Sequence, residues 1–179
     1  MNENLPIVYI SALLAILVFA AIYILKEVIK TRKQESTFSR LQKKLKEGKG
    51  TAEEYYELGS LYLDKKLFVQ SLTLLNKALK VDKTLPEENQ ALIHNAMGYA
   101  YFAQEQYDIA IRQYKEALKR YPEYVIALNN LGNVYEKRQM IVKAVETYKQ
   151  ALEYDPENNT AKLRIKSLEK RLVPAKSSN

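Results

Sequence analysis

Residues 125–156 read VIALNNLGNVYEKRQMIVKAVETYKQALEYDP, and the reading of this stretch decides the fold. Leu128, Leu131-Gly132, Tyr135, Ala144, Tyr148, Ala151 and Pro156 mark it out. The same signature stands earlier at His94, Met97-Gly98, Tyr101, Ala110, Tyr114, Ala117 and Pro122, each a step of 34 upstream. A weaker copy precedes both: Tyr55, Leu58-Gly59, Tyr62, Ser71, Leu75 and Ala78, offset by 39, so an insertion of five residues separates it from the second. Leu131 and Tyr135 are four apart and share a helix face. Gly132 costs a helix interior about 1 kcal/mol relative to alanine, so its presence between them points to close helix packing. Ala144, Tyr148 and Ala151 again share one face, with small residues flanking a large one. Pro156 cannot donate to the helical ladder and marks the end of a second helix.

Each unit is therefore a pair of antiparallel helices. One such pair cannot bury its own apolar face, but about three stacked pairs can. The period and residue types resemble the tetratricopeptide repeat. The expected fold is all-α: a solenoid of three helical hairpins (about 52–85, 91–124 and 125–158), a capping helix, and an N-terminal transmembrane helix. Thr51 with Glu54 forms a capping-box pattern that starts the first repeat helix near Ala52. Its partner runs from about Leu67 to Val81. The insertion occupies Lys83 to Gln90, and Pro86-Glu87-Glu88 has the makings of a first turn for the helix that continues to Ala103. The other repeat helices are expected at about 107–120, 124–137 and 141–154. Residues 159–172 give a further helix with Leu163, Ile165, Leu168 and Leu172 on its apolar side but no repeat glycine or tyrosine, which fits a cap. Residues 173–179 read as a disordered tail.

The N-terminal part has a different character. After a short tail at 1–6, residues 7–25 (IVYISALLAILVFAAIYIL) carry no charge over 19 residues. At about 1.5 Å per residue such a helix spans roughly 28 Å, close to the ~30 Å hydrocarbon core. Tyr9 and Tyr23 sit where amphipathic rings favour the interface. A cleaved leader is the competing reading, with Val18-Phe19-Ala20 as its cleavage signal. The first residues lack the basic charge of a leader, and the apolar run continues to Leu25, so an uncleaved single-pass anchor is expected.

Charge then sets the orientation. Residues 26–50 hold nine Lys and Arg against three Glu, whereas residues 51–179 hold nineteen against seventeen acids, so most of the net charge of +7 is local. The positive-inside rule leaves the repeats on the side of synthesis. Residues 26–50 are expected as a basic juxtamembrane helix and linker that breaks at Gly48-Lys49-Gly50. Phe38, Leu41 and Leu45 form its narrow apolar stripe. It either rests on an anionic leaflet or acts as a spacer packed on the first repeat. Nucleic acid is not expected, because no aromatic-interleaved basic face follows.

Catalytic chemistry is not legible. There is no Cys, only one His and no phosphate-cradling glycine loop. No catalytic, metal or cofactor-binding residues and no small-molecule substrate are expected, and the protein reads as a non-enzyme. The concave side of the solenoid is the candidate binding surface. By helical spacing it presents Tyr56, Ser60 and Leu63; Asn95, Tyr99 and Phe102; and Ile126, Asn129, Asn133, Glu136 and Lys137. Asn amides can bond an extended peptide backbone, and aromatic rings can take apolar anchors. Tetratricopeptide domains that grip acidic tails place cations on this face, and here Lys137 is nearly alone.

The opening Asn2-Glu3-Asn4-Leu5-Pro6 and the run Glu54-Tyr55-Tyr56-Glu57-Leu58-Gly59-Ser60-Leu61-Tyr62-Leu63-Asp64-Lys65-Lys66 resemble the membrane-anchored photosystem I assembly tetratricopeptide proteins of cyanobacteria and plastids. The resemblance implies a thylakoid protein with its N-terminus in the lumen and its repeats in the stroma or cytoplasm. It also implies protein partners, photosystem I subunits or assembly factors, whose assembly the chain would assist. The alternative is a membrane-anchored adaptor for another membrane or envelope complex.

Overall fold

The computed structural model describes residues 5–172. They form eight α-helices: α1 (Leu5–Lys46), α2 (Ala52–Asp64), α3 (Phe68–Val81), α4 (Glu87–Ala103), α5 (Tyr107–Arg120), α6 (Val125–Lys137), α7 (Ile141–Tyr154) and α8 (Asn159–Leu172). The described residues contain no strand. The chain divides into two units at Gly48. The expected tail at 173–179 lies outside the described residues.

The first unit is α1 alone, 42 residues long. The apolar span and the basic stretch, each expected to be helical, lie in one continuous helix. Beyond Pro6 it contains neither Gly nor Pro, and the Lys, Arg, Glu and Gln after Leu25 are good helix formers that lose little rotamer freedom. Its apolar side chains from Tyr9 to Ile29 are exposed, with Phe19 at 74% and Tyr23 at 71%, whereas Leu41 and Leu45 near its end are buried. Among the described residues it is the one helix long and apolar enough to cross a membrane. Lys43, Lys44 and Lys46 lie in its last turn, where cations suit the negative end of the helix dipole. Gly48 then takes φ 76, the left-handed conformation that closes many helices.

The second unit begins with the capping box. The Glu54 N–H donates to Thr51 Oγ1 at 3.3 Å, and the Thr51 N–H donates to Glu54 Oε2 at 3.2 Å. Three helical hairpins follow, α2/α3, α4/α5 and α6/α7, with α8 packed on α7. Each hairpin turns in the same way. Lys66, Glu105 and Gln139 have φ of 59, 59 and 57. The next residue donates its N–H back across the turn, Leu67 to Tyr62 O at 2.8 Å, Gln106 to Tyr101 O at 2.9 Å and Met140 to Tyr135 O at 2.9 Å. This is the Schellman closure made without glycine, at a cost of about 1 kcal/mol per left-handed residue.

The repeat glycines are contact points between the two helices of a hairpin. A Cβ on Gly98 would lie 2.6 Å from the Tyr114 ring, and one on Gly132 would lie 2.7 Å from the Tyr148 ring. Both rings are buried. In the first hairpin Leu75 replaces the ring, and a Cβ on Gly59 would meet it at 3.0 Å. Ser71, fully buried there, donates its hydroxyl to Gly59 O at 2.8 Å.

The largest core cluster joins Leu128, Leu131, Val134 and Tyr135 of α6 to Ala144, Tyr148 and Ala151 of α7 and to Ala161, Ile165 and Leu168 of α8. In sequence register α8 repeats α6. Ile165 follows Leu131 by the same step of 34, but Lys162, Lys166 and Glu169 stand where α6 has Leu128, Gly132 and Tyr135. Ala161, Ile165 and Leu168 make the buried apolar side of α8. Leu163, expected on that side, is 68% exposed. It lies two residues from both Ala161 and Ile165 and so points away from them. Asn158 starts α8, with Oδ1 accepting the Ala161 N–H at 2.9 Å.

Candidate partner-binding groove

The first helices of the hairpins lie side by side, with α4 against both α2 and α6. Between them runs a groove of ≈ 420 Å³. Tyr56, Ser60 and Leu63 of α2 and Asn95 and Tyr99 of α4 line it, which brings together five of the eleven residues expected on the concave face. Asp64, Lys66, Ala96 and Asn130 complete the lining. Tyr99 is 47% exposed, so about half of the residue is open to solvent.

Asn95 does more than face the groove. Its Nδ2 donates to Tyr124 Oη at 3.3 Å, and its Oδ1 accepts from Asn130 Nδ2 at 2.9 Å. The amide therefore ties α4 to α6 and to the segment before it. Burial, with Tyr56 nearby as the next contribution, pushes the Tyr124 phenol up to about 12, so it stays a neutral hydroxyl at physiological pH. Asn130 was not among the expected residues. Its signal is faint: it follows Asn95 by 35 residues, one past the repeat step, and belongs to an Asn-Asn pair.

The remaining expected residues lie outside this groove. Phe102 packs on Tyr107 at the α4/α5 turn, ring centroids 5.8 Å apart. Ile126 is 58% exposed on α6, and Lys137 is exposed at the end of the same helix. Asn133 is half-buried. Asn129 is half-buried as well, and its Oδ1 is buried without a hydrogen-bond partner among the described residues. Glu136 accepts the Tyr148 hydroxyl at 2.7 Å and lies 3.7 Å from Arg164 Nε, with only 15% of its side chain exposed. Burial first, and this bond to Glu136 second, push the Tyr148 phenol up, which keeps its proton in place as the donor. The carboxylate thus joins α6, α7 and α8. Sequence spacing could not reveal that, since its partners come from later helices.

His94, the single histidine, is a packing residue of α4. Its Nδ1 lies 2.8 Å from Gln113 Oε1 on α5, and burial holds its pKa below the usual value. Among the described residues no group of three His, Cys, Asp or Glu could hold a metal ion. What the groove can do is bind: it offers an exposed phenol, hydroxyl and amide groups, and a carboxylate beside an ammonium at the α2/α3 turn.

Comparison with known proteins agrees with this architecture. Tetratricopeptide repeat models match residues 51–123 and 95–159. The ycf37 protein of Guillardia theta is 33% identical, covering 97% of each chain. The chloroplastic tetratricopeptide repeat domain-containing protein PYG7 of Arabidopsis thaliana is 30% identical over 94% of this chain and 56% of its own length. Among solved structures, MamA superposes with a TM-score of 0.69 at 24% identity, covering 80% of this chain and 82% of MamA. The first tetratricopeptide domain of Spaghetti (RPAP3), solved with the HSP90 peptide SRMEEVD bound, gives 0.61 at 20% identity over 68% and 92%.

Proposed function

The chain belongs to the ycf37 family of tetratricopeptide-repeat proteins, and we propose that it is a non-enzymatic, membrane-tethered scaffold that assists photosystem I assembly or stabilisation through protein contacts. The observation that carries the reading is the groove between α2 and α4, with Leu63, Ser60 and the half-exposed Tyr99 on its surface. An open groove lined by an aromatic and by hydrogen-bonding groups is the usual chemistry for holding a segment of another protein. The relative of chloroplastic name and the resemblance in the opening residues support a plastid or cyanobacterial setting. The apolar, exposed side chains of α1 support a single-pass anchor in the thylakoid membrane. Nine basic residues after the apolar run support a lumenal N-terminus with the repeats in the stroma or cytoplasm.

Two experiments test this reading. Carbonate washing should leave the protein in membranes, and protease on the stromal or cytoplasmic side should digest the repeats; release by carbonate removes the anchor from the proposal. In cells, Leu63→Ala with Tyr99→Ala should lower photosystem I accumulation while the helical content of the purified chain is kept. Normal photosystem I alongside loss of another membrane complex would instead identify a general adaptor.

A further inference from the structure

The five-residue insertion builds a feature that the regular repeats lack. Asp82 Oδ1 accepts the Thr84 N–H at 2.8 Å and the Thr84 hydroxyl at 2.7 Å, which curls the chain after α3. Gln90 Nε2 then donates to Leu85 O at 2.8 Å, and Gln90 Oε1 accepts from Arg120 Nε at 3.1 Å. The loop is thereby fastened to α4 and α5, and Leu85 is pressed inward to 5% exposure. Against it Tyr56, Leu92 and Ile93 enclose a pocket of ≈ 130 Å³, with Glu53 and Asn89 as its polar members. A dry cavity of about 150 Å³ accepts a benzene-sized group, so this one suits a branched aliphatic side chain. Tyr56 lines both the pocket and the larger groove, which makes them neighbours.

We infer that this pocket anchors an aliphatic side chain, of leucine or isoleucine size, from the segment held in the groove, with a cationic group of the same segment beside Glu53. The inference rests on the proposed use of the groove and adds the identity of its anchor. Three features support it. The walls are apolar and held in place by hydrogen bonds, so little ordering is required on binding. An apolar anchor in a preformed pocket is where binding energy concentrates. Glu53 is exposed and forms no ion pair among the described residues, and its charge favours a cationic group next to the aliphatic anchor over a carboxylate tail.

The probes are three small molecules that share the leucine side chain: leucinamide, a cation; N-acetyl-leucinamide, neutral; and N-acetyl-leucine, an anion. Each is titrated into the full chain in neutral detergent micelles, with methyl NMR signals of Leu85, Leu92 and Ile93 as the readout. All three signals should shift, with leucinamide binding about twofold to fivefold more tightly than the anion. Glu53→Gln, an exposed change that leaves the fold intact, should erase this order while the neutral probe still binds. Leu85→Ala should weaken all three probes. Absence of shifts at the three residues, or an unchanged charge order in Glu53→Gln, overturns the inference. That failure is separable from failure of the groove reading, which is judged by the Leu63 and Tyr99 variants in cells and does not depend on the pocket.

Discussion

The first hairpin and the two that follow solve the same packing problem with different chemistry. In α4/α5 and α6/α7 a glycine backbone lies under a buried tyrosine ring, close enough that a methyl group would fall 2.6–2.7 Å from ring carbons. In α2/α3 the glycine faces Leu75 at 3.0 Å, and Ser71 adds a hydrogen bond to the Gly59 carbonyl at 2.8 Å. A buried planar ring has little room to yield, whereas a branched aliphatic chain has terminal atoms that can rotate aside. The two later hairpins are thus fitted by shape, and the first is fitted by a softer contact plus one directed bond.

Substitutions can break this contrast in graded steps, each read as the thermal midpoint of the full chain in detergent. Gly132→Leu should have the largest effect. It drives four extra carbons into a ring held by Glu136, and overpacking of this kind costs about 1–3 kcal/mol or more; an unchanged midpoint would show that the contact is open. Alanine comes next. Gly98→Ala and Gly132→Ala gain about 1 kcal/mol of helix propensity but meet the rings, so a net loss of about 1–2 kcal/mol is expected. Gly59→Ala should fall within about 1 kcal/mol of neutral, because Leu75 can give way. Equal losses at all three glycines would erase the distinction.

Ser71→Ala tests the directed bond. The lost hydrogen bond is worth about 1 kcal/mol, partly offset by the better helix propensity of alanine, so a loss of about 0.5 kcal/mol is expected. Alanine already occupies the matching positions 110 and 144.

The smallest effect concerns pH. Tyr55, His94 and Leu128 occupy one register position, and only the second of them titrates near neutrality. Burial, the largest cause, lowers the His94 pKa in the fold. The unfolded chain therefore takes up a proton first as pH falls, so this contribution to stability is intact above the ordinary histidine pKa of about 6.5 and declines on acidification towards the lower folded pKa. Midpoints recorded between neutrality and mild acid should fall, and His94→Gln should flatten that part of the profile. An identical slope in the variant would show that His94 is not the group responsible.

Much of the fold was legible because periodicity encodes packing. The step of 34 located Gly98, Gly132, Tyr114 and Tyr148, and the helices expected at 107–120, 141–154 and 159–172 have those bounds. Local cues were also sufficient at Thr51 and Glu54. The turns were not legible, since Lys66, Glu105 and Gln139 adopt left-handed backbone without the glycine or asparagine that usually marks it. In α1 hydropathy changes at Lys26 while helix propensity does not, so one helix carries both the apolar and the basic stretch. At the groove, spacing identified helix faces but not cross-links. Asn95 is partly committed to Tyr124 and Asn130, and Glu136 is committed to Tyr148 and Arg164, because those partners arrive from other helices.

The register of α8 has a consequence for how this array can grow. In α4 and α6 a bare glycine backbone is what the following helix of the hairpin lies against, and Lys166 puts a long charged side chain at the matching place in α8. Lys162 and Glu169 add charge on either side of it along the same face. The repeat number is therefore encoded locally, in a single helix, rather than in the length of the chain. A gene duplication that copied one hairpin would extend the solenoid only if inserted upstream of α8. A copy appended after it would find no seat.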